Sequence, residues 1–389
     1  MILSILDNDL YKFTMQQAVH TLYPRAEAEY KFFNRGNTRF PPGFARKLRS
    51  RVDEMAGLRL SADEKRYLAD VCYFLTPVYL DFLESYTYHP GEVSVEQENG
   101  RFSLTVKGPW YRTILWEVPL MALISEIYFS MTDAPILPRP KIREINRKKA
   151  RTLSRNQVRF ADFGTRRRYS AANQENMIKD LLDVENNTLI GTSNVHFARK
   201  FKITPIGTLA HEWFMFHAVL AGYRRANIIA QDAWVRVFQG DLGIVLADTY
   251  TTDVFLSGFD TMHAKLFDGV RQDSGDPVGF LQKILDHYKK LRIDPCAKTI
   301  VFSDGLDVDR AVAIHRECKG KIKDAYGIGT NLTNDVGVVP LNMVIKLSKS
   351  RPGAEEPWQD TIKLSDDRGK RTGTPEELEN CLRVLQMES

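Results

Sequence analysis

From Val158 onward, short apolar runs that end in polar turns recur at seven places, and helical sequence follows them. Val158 to Phe160 precedes Asp162-Phe163-Gly164-Thr165-Arg166, and Leu189-Ile190 precedes Gly191-Thr192-Ser193-Asn194. Ile203 to Ile206 precedes Gly207-Thr208 and His211, and Ile244 to Leu246 precedes Asp248-Thr249. Gly269-Val270 leads to Arg271-Gln272-Asp273-Ser274-Gly275-Asp276, Ile300 to Phe302 to Ser303-Asp304-Gly305, and Ala325-Tyr326 to Gly327-Ile328-Gly329-Thr330. Strand and helix in alternation predict parallel strands. The residues with chemistry to offer gather after the strands, where a β/α barrel or an open α/β sheet carries its site. Function-like residues at so many strand ends favour a closed or nearly closed, irregular β/α barrel, because fewer ends converge on one ligand in an open sheet.

The first 130 residues follow another pattern. Asp7 to Met15 reads as a capped helix start, and Glu29 to Phe33 as a strand. Ser61 with Glu64 forms a capping box. Val93 to Glu96 and Phe102 to Val106 alternate apolar and polar residues around Asn99-Gly100, a hairpin signal. This is a small α+β unit, and a chain of 389 residues is long enough for a companion domain of this kind. Arg139 to Arg151 carries seven basic residues and one acid, without the interleaved aromatics that stacking on bases needs. It reads as a solvated helix face or linker, and the domain boundary falls near it. The expected division is 1–138, 139–345 and 346–389. The last part supplies a strand at Leu341 to Leu347, a charged stretch, and a helix capped by Thr374, Pro375 and Glu377.

A net charge of +5 suits an enzyme of polyanionic small molecules. The four cysteines lack metal or disulfide spacing, which points to a reducing compartment, by default the cytoplasm. The longest apolar run, Val118 to Phe129, is broken by Ser125 and Glu126 and reads as too short to span a bilayer. No signal segment opens the chain, so no membrane partner is expected. There is no Walker A sequence, no zincin spacing at His211-Glu212, and no third glycine after Gly327-Ile328-Gly329.

The turn Gly207 to Trp213 sets His211 at a helix start, where unpaired N–H groups and the helix dipole favour an anion. Taken alone, it is equally a capping turn with a packed histidine. In Asp162 to Arg168, Arg166 has the planar fork that grips a carboxylate or phosphate, and Phe163 suits core packing or an aromatic floor for a planar ligand. Arg271 offers an anion contact, and Asp273 a partner for sugar hydroxyls or Mg²⁺. Asp304-Gly305 and Gly329-Thr330 have the form of helix caps or of a phosphate cradle.

Together these motifs, from Asp9-Leu10-Tyr11-Lys12-Phe13-Thr14-Met15 to Lys363-Leu364-Ser365-Asp366-Asp367, resemble the nicotinate phosphoribosyltransferase family of type II phosphoribosyltransferases. The resemblance implies condensation of nicotinate with 5-phosphoribosyl 1-pyrophosphate to nicotinate mononucleotide and pyrophosphate, coupled to ATP hydrolysis with Mg²⁺, in NAD salvage. It implies a tail that packs on the N-terminal domain and a homodimer. It also implies that ATP phosphorylates His211, that Tyr11 and Thr208 lie at the nicotinate site, that Phe163 stacks on the pyridine ring, and that Arg166 serves anionic groups. Arg271 and Asp273 would hold substrate anion and ribose, and Asp304, Gly305, Gly329 and Thr330 the 5′-phosphate. No protein metal site is expected.

Nicotinamide phosphoribosyltransferases are the nearest rival reading. They carry an aspartate where Ser193 stands here, and a serine hydroxyl can donate to a carboxylate that an aspartate would repel. A nucleic-acid-binding role for Arg139 to Arg151 is the rival from another class, and it leaves the strand-end residues without a purpose.

Overall fold

The computed structural model describes residues 2–387. Two sheets organise them. The first is antiparallel, built from β1 (Glu27–Asn34), β2 (Val93–Glu98), β3 (Arg101–Pro109), and two later strands, β10 (Met343–Arg351) and β11 (Gln359–Asp360). Its order is β11-β10-β1-β3-β2. The second is parallel, built from β4 (Phe160–Asp162), β5 (Leu189–Thr192), β6 (Ile244–Leu246), β7 (Gly269–Gln272), β8 (Thr299–Phe302) and β9 (Lys323–Ile328), in the order β5-β4-β9-β8-β7-β6.

That order is chain order wrapped around a circle, broken only between β5 and β6. The seventh apolar run, Ile203 to Ile206, spans the break. Thr192 N–H donates to Thr204 O (3.1 Å) and accepts at its own carbonyl from Ile206 N–H (2.9 Å), and the Thr208 hydroxyl donates to Ile244 O (2.8 Å). The run therefore makes a single parallel bridge rather than a regular strand. Pro205 in its middle has no N–H to give a ladder. The result is an irregular β/α barrel. Val245, Val270, Ile300, Phe302, Phe160 and Ile328 are buried in it, as expected of strands covered on both sides.

The Asn99-Gly100 hairpin forms with both residues at positive φ (50° and 78°), the geometry of a tight primed turn, and the Ser61–Glu64 capping box forms in full. Other local signals are overridden. Asp9 stands at the N-cap of the Leu10–Leu22 helix but makes no side-chain cap, because its carboxylate is claimed by Ser193. Thr374 makes none either, and Glu377 accepts from Tyr223 (2.5 Å) instead of closing a box. The strand expected at Leu341 to Leu347 runs Met343–Arg351, so a division at 345/346 falls inside it; its register is set by pairing along the whole of β1. The stretch Trp110–Thr132 is helical and, by length and composition, long and apolar enough to cross a membrane, which corrects the expectation of a run too short to do so. Its side chains are spent in the core instead: Trp110, Ile114, Leu115, Trp116, Val118 and Leu120 are fully buried. The basic run forms the Arg139–Arg155 helix, and acids meet it: Arg139 forks onto Asp180 (2.7 and 2.7 Å), and Arg143 and Arg147 share Asp183.

One buried cluster ties the N-terminal segment to the barrel. Arg168, after β4, donates from both Nη atoms to Asp7 (2.7 and 2.9 Å) and from Nε to Glu126 (2.9 Å), and both Arg168 and Asp7 are wholly buried. Asn194, after β5, donates to the same Asp7 oxygen (2.8 Å). Arg168→Leu leaves the wholly buried Asp7 carboxylate without its counter-charge, so stability falls by about 3–5 kcal/mol. Urea denaturation checks this, and an unchanged midpoint would refute the role assigned to the cluster.

Candidate functional site

The strand ends β4 to β9 open onto one cavity system, roofed by the first turn of the Leu10–Leu22 helix and by β10. Its inner chamber is lined by Asp9, Tyr11, Phe163, Arg166, Ser193 and Thr208, together with Ile206, Gly207, Ile244, Arg271 and Val301. Its walls are mainly apolar, and it holds two cations, Arg166 and Arg271. Gly207 is what brings Tyr11 there: a Cβ at 207 would lie 2.9 Å from the Tyr11 backbone N. A second chamber joins Phe163, Arg166, Arg167, Arg271 and Asp273 to Ser303, Gly305, Gly329, Thr330 and Asn331. An outer chamber adds His211, Asp304, Glu117, Glu212, Arg35, Lys346, Lys363 and Lys370. All twelve residues named from sequence thus line this cavity system.

Their local roles are sharper than the sequence allowed. Ser193, expected to donate to a substrate carboxylate, donates to Asp9 (2.7 Å). A carboxylate therefore already stands at this wall. Burial pushes Asp9 up to about 6 against the pull of Arg166 and Ser193, so it stays mostly ionised at neutral pH and takes up a proton only below it. Arg271 donates from Nε to Ser303 Oγ (2.9 Å), and Ser303 in turn donates to Asp273 (2.8 Å), which fixes the Arg271 fork with its planar face toward Phe163, 5.9 Å from the ring centroid. Asp304 accepts from Lys370, so it faces the ligand space as a holder of that cation. Asp276 is a helix cap, accepting from Gly279 N–H at 2.7 Å.

His211 opens the His211–Ala221 helix with its ring buried. Nε2 lies 3.3 Å from Asp273 and Nδ1 lies 3.0 Å from the Thr249 hydroxyl. Burial, helped by Lys363, holds the imidazole well below its ordinary pKa, so it is neutral at physiological pH. Burial alone would raise Asp273, but Arg271, His211 and Lys363 outweigh it and keep that carboxylate ionised. An ionised carboxylate cannot donate; the Nε2 contact therefore requires the proton on Nε2 and leaves the lone pair on Nδ1. Beside it, Asp248 Oδ1 is buried without a hydrogen-bond partner among the described residues, 4.0 Å from Nε2, and burial lifts this carboxyl to about 6.

Cations dominate the outer walls. Burial, then the neighbouring charges of Arg166 and Arg35, pull Arg167 down to about 10, and burial pulls Lys346 down to about 7. Such groups lack a counter-charge that an anion would supply. Asp248, Lys346, Lys363, Lys370 and Arg35 were not singled out in sequence as site residues. Asp248 was marked only as part of a strand-end turn, and Lys346 sits on a strand of the other sheet, whose reach over the barrel no local pattern announces.

The model of the nicotinate phosphoribosyltransferase (NAPRTase) family matches residues 158–387, and that of the family's N-terminal domain matches residues 6–125. The chain is 65% identical over 386 residues to a nicotinate phosphoribosyltransferase of Desulforapulum autotrophicum, covering 99% of each chain. It is 50% identical to one of Chromohalobacter salexigens, covering 99% of this chain and 98% of the other. The crystal structure of the nicotinate phosphoribosyltransferase of Porphyromonas gingivalis superposes with a TM-score of 0.97 at 43% identity, covering 100% of both chains.

Lys346 sets a pH dependence. With its pKa lowered to about 7, the ammonium is charged below that value and neutral above it, so anion binding weakens as pH rises. Sulfate affinity, followed by calorimetry, drops by up to roughly tenfold between about pH 6 and about pH 8, and Lys346→Met flattens the slope. A slope unchanged in the variant would assign the titration elsewhere.

Proposed function

The chain belongs to the nicotinate phosphoribosyltransferase family, an enzyme family of NAD salvage, and from that premise we propose that His211 couples its reaction to ATP. The carrying observation is the neutral, buried His211 imidazole, held by Asp273 at Nε2, among unpaired cations. The unprotonated Nδ1, on giving up its hydrogen bond with the Thr249 hydroxyl, forms a bond to the γ-phosphorus as the bond from phosphorus to the ADP oxygen breaks. ADP leaves with that electron pair, and the proton on Nε2 stays with Asp273's hydrogen bond. The helix N-terminus favours the anion so formed.

The synthetic step needs no nucleophilic side chain, since the pyridine nitrogen of nicotinate attacks the anomeric carbon of the phosphoribosyl donor and pyrophosphate departs. The protein supplies orientation and charge control. Phe163 and Tyr11 sandwich the ring in the inner chamber, with Thr208 and Ser193 on its walls and Arg166 answering the nicotinate carboxylate. Asp273 accepts from ribose hydroxyls while Arg271 meets the donor's anionic groups. Gly305, Gly329 and Thr330 receive the 5′-phosphate. Lys370, held by Asp304, joins Arg35, Arg167, Lys346 and Lys363 on the pyrophosphate side.

Mg²⁺ fits this donor set. No group of three or more His, Cys, Asp or Glu among the described residues forms a protein cage for a metal. Asp248, with an unpartnered buried oxygen, and Asp273 can hold it jointly with substrate phosphates, the manner usual for this ion. When bound, it would neutralise charge on the phosphate oxygens. The cysteines are all free, which supports a reducing compartment such as the cytoplasm.

Nicotinate is the preferred substrate over nicotinamide because its carboxylate pairs with Arg166. Two measurements test the reading. His211→Ala loses all ATP stimulation of nicotinate mononucleotide formation and keeps slow ATP-independent synthesis; stimulation that survives removes His211 from the coupling. Nicotinamide forms product at well under about a hundredth of the nicotinate rate, since losing one buried charge pair costs about 3 kcal/mol; equal rates would show the substrate assignment to be wrong.

A further inference from the structure

Immediately behind the outer chamber lies a chain of charges that neither the base pocket nor the phosphate contacts account for. Lys12 follows Tyr11 on the Leu10–Leu22 helix, and its ammonium is completely buried. It lies 2.5 Å from Glu212 Oε1 and 2.6 Å from Glu117 Oε2. Glu212 is the residue after His211. Glu117 turns its other oxygen, Oε1, to Arg166 Nη1 at 3.3 Å. An unbroken path, Glu212–Lys12–Glu117–Arg166, buried up to its last member, therefore runs from the backbone of His211 to the guanidinium shared by the base and donor chambers.

We propose that Lys12 is a positioning residue that transmits the phosphorylation state of His211 to Arg166, by dividing its single charge between Glu212 and Glu117. This rests on the reading of His211 as the phosphoryl acceptor.

The physical basis is a count of charge. The Lys12 ammonium is shared by two buried carboxylates, of which Glu117 also faces Arg166 and Lys346 whereas Glu212 has only a hydrogen bond from Tyr30 beside it. A phosphoryl group on His211 adds about two negative charges next to Glu212. Lys12 is then drawn toward the His211 side, and its hold on Glu117 weakens. Glu117, losing part of its counter-charge, takes a firmer hold of Arg166, whose fork reaches the nicotinate and phosphoribosyl subsites together. Water screens little of the change at the Lys12 end, where the Lys12 side chain is 0% exposed and those of Glu117 and Glu212 are 8% and 7% exposed; Arg166, 32% exposed, meets the chamber. Tyr11, on the residue before Lys12, moves with the same helix turn, so both walls of the base chamber feel the shift.

The test uses the full-length enzyme, with Lys12→Met and Glu117→Gln as separate variants. Glu117→Gln keeps the side-chain volume and a hydrogen bond to Lys12 while removing the charge that reaches Arg166, so it reports even where Lys12→Met does not fold. Two quantities are read: transfer of labelled phosphate from ATP to the protein, and the KM for 5-phosphoribosyl 1-pyrophosphate with and without ATP. The expected result is normal labelling with the ATP effect on KM reduced at least about fivefold. Normal labelling with an unchanged ATP effect in Glu117→Gln overturns the relay. Loss of labelling in both variants also overturns it, since Lys12 would then serve the acceptor site itself. Absence of labelling in the parent enzyme refutes instead the reading of His211 on which the relay rests.

Discussion

Charge buried with its partner is the constraint on which the rest of this structure depends. Arg168 and Asp7 face one another with no access to water, and each would be intolerable alone. Arg168 comes from the turn after β4, whereas Asp7 comes from the segment before the first helix, so the barrel cannot close its own polar account without the N-terminal residues. The same holds for Lys12, whose acids come from the Glu117–Thr132 and His211–Ala221 helices. Docking of the N-terminal segment on the barrel mouth thus follows from electrostatics as much as from apolar area, and the docking carries Asp9 and Tyr11 into the inner chamber.

The site itself inverts that logic. Inside the scaffold Arg168, Asp7 and Lys12 each meet an opposite charge; around the cavity, cations outnumber the acids that face them. Arg167 and Lys346 are both pulled below their ordinary values by burial, and Arg167 by its neighbours as well. A folded protein that keeps such groups together gives up stability which polyphosphate substrates restore on binding. The few acids present are assigned separately: Asp273 holds His211 and Arg271, Asp304 holds Lys370, and Asp248 keeps one oxygen free.

The antiparallel sheet explains why the two halves function as one. β10 pairs with β1 along its length and presents Lys346 over strand ends that belong to the barrel. Lys363, farther along the tail, bridges back by its backbone to Thr372 and reaches the same cavity. A division of the chain by sequence therefore cuts across the site, whose outer wall is assembled from the beginning, the middle and the end.

The alternation of apolar runs and polar turns was enough to locate all seven barrel positions, and with them Phe163, Arg166, Ser193, Thr208, His211, Arg271, Asp273, Gly305 and Gly329, because parallel strands end where their turn residues begin. The hairpin at Asn99-Gly100 and the box at Ser61 and Glu64 were legible for a similar reason: their partners lie within a few residues. What tertiary structure alone decided is which local partner loses to a distant one. Asp9 abandons a helix cap for Ser193, Glu377 abandons one for Tyr223, and Pro205 leaves its run as a single bridge. It also decided the meeting of Lys12 with Glu212, 200 positions away, and the reach of Lys346 into the barrel mouth. Local sequence records backbone preference and side-chain period; the energy of a buried charge depends on everything within a few ångströms, and only the folded chain specifies what that is.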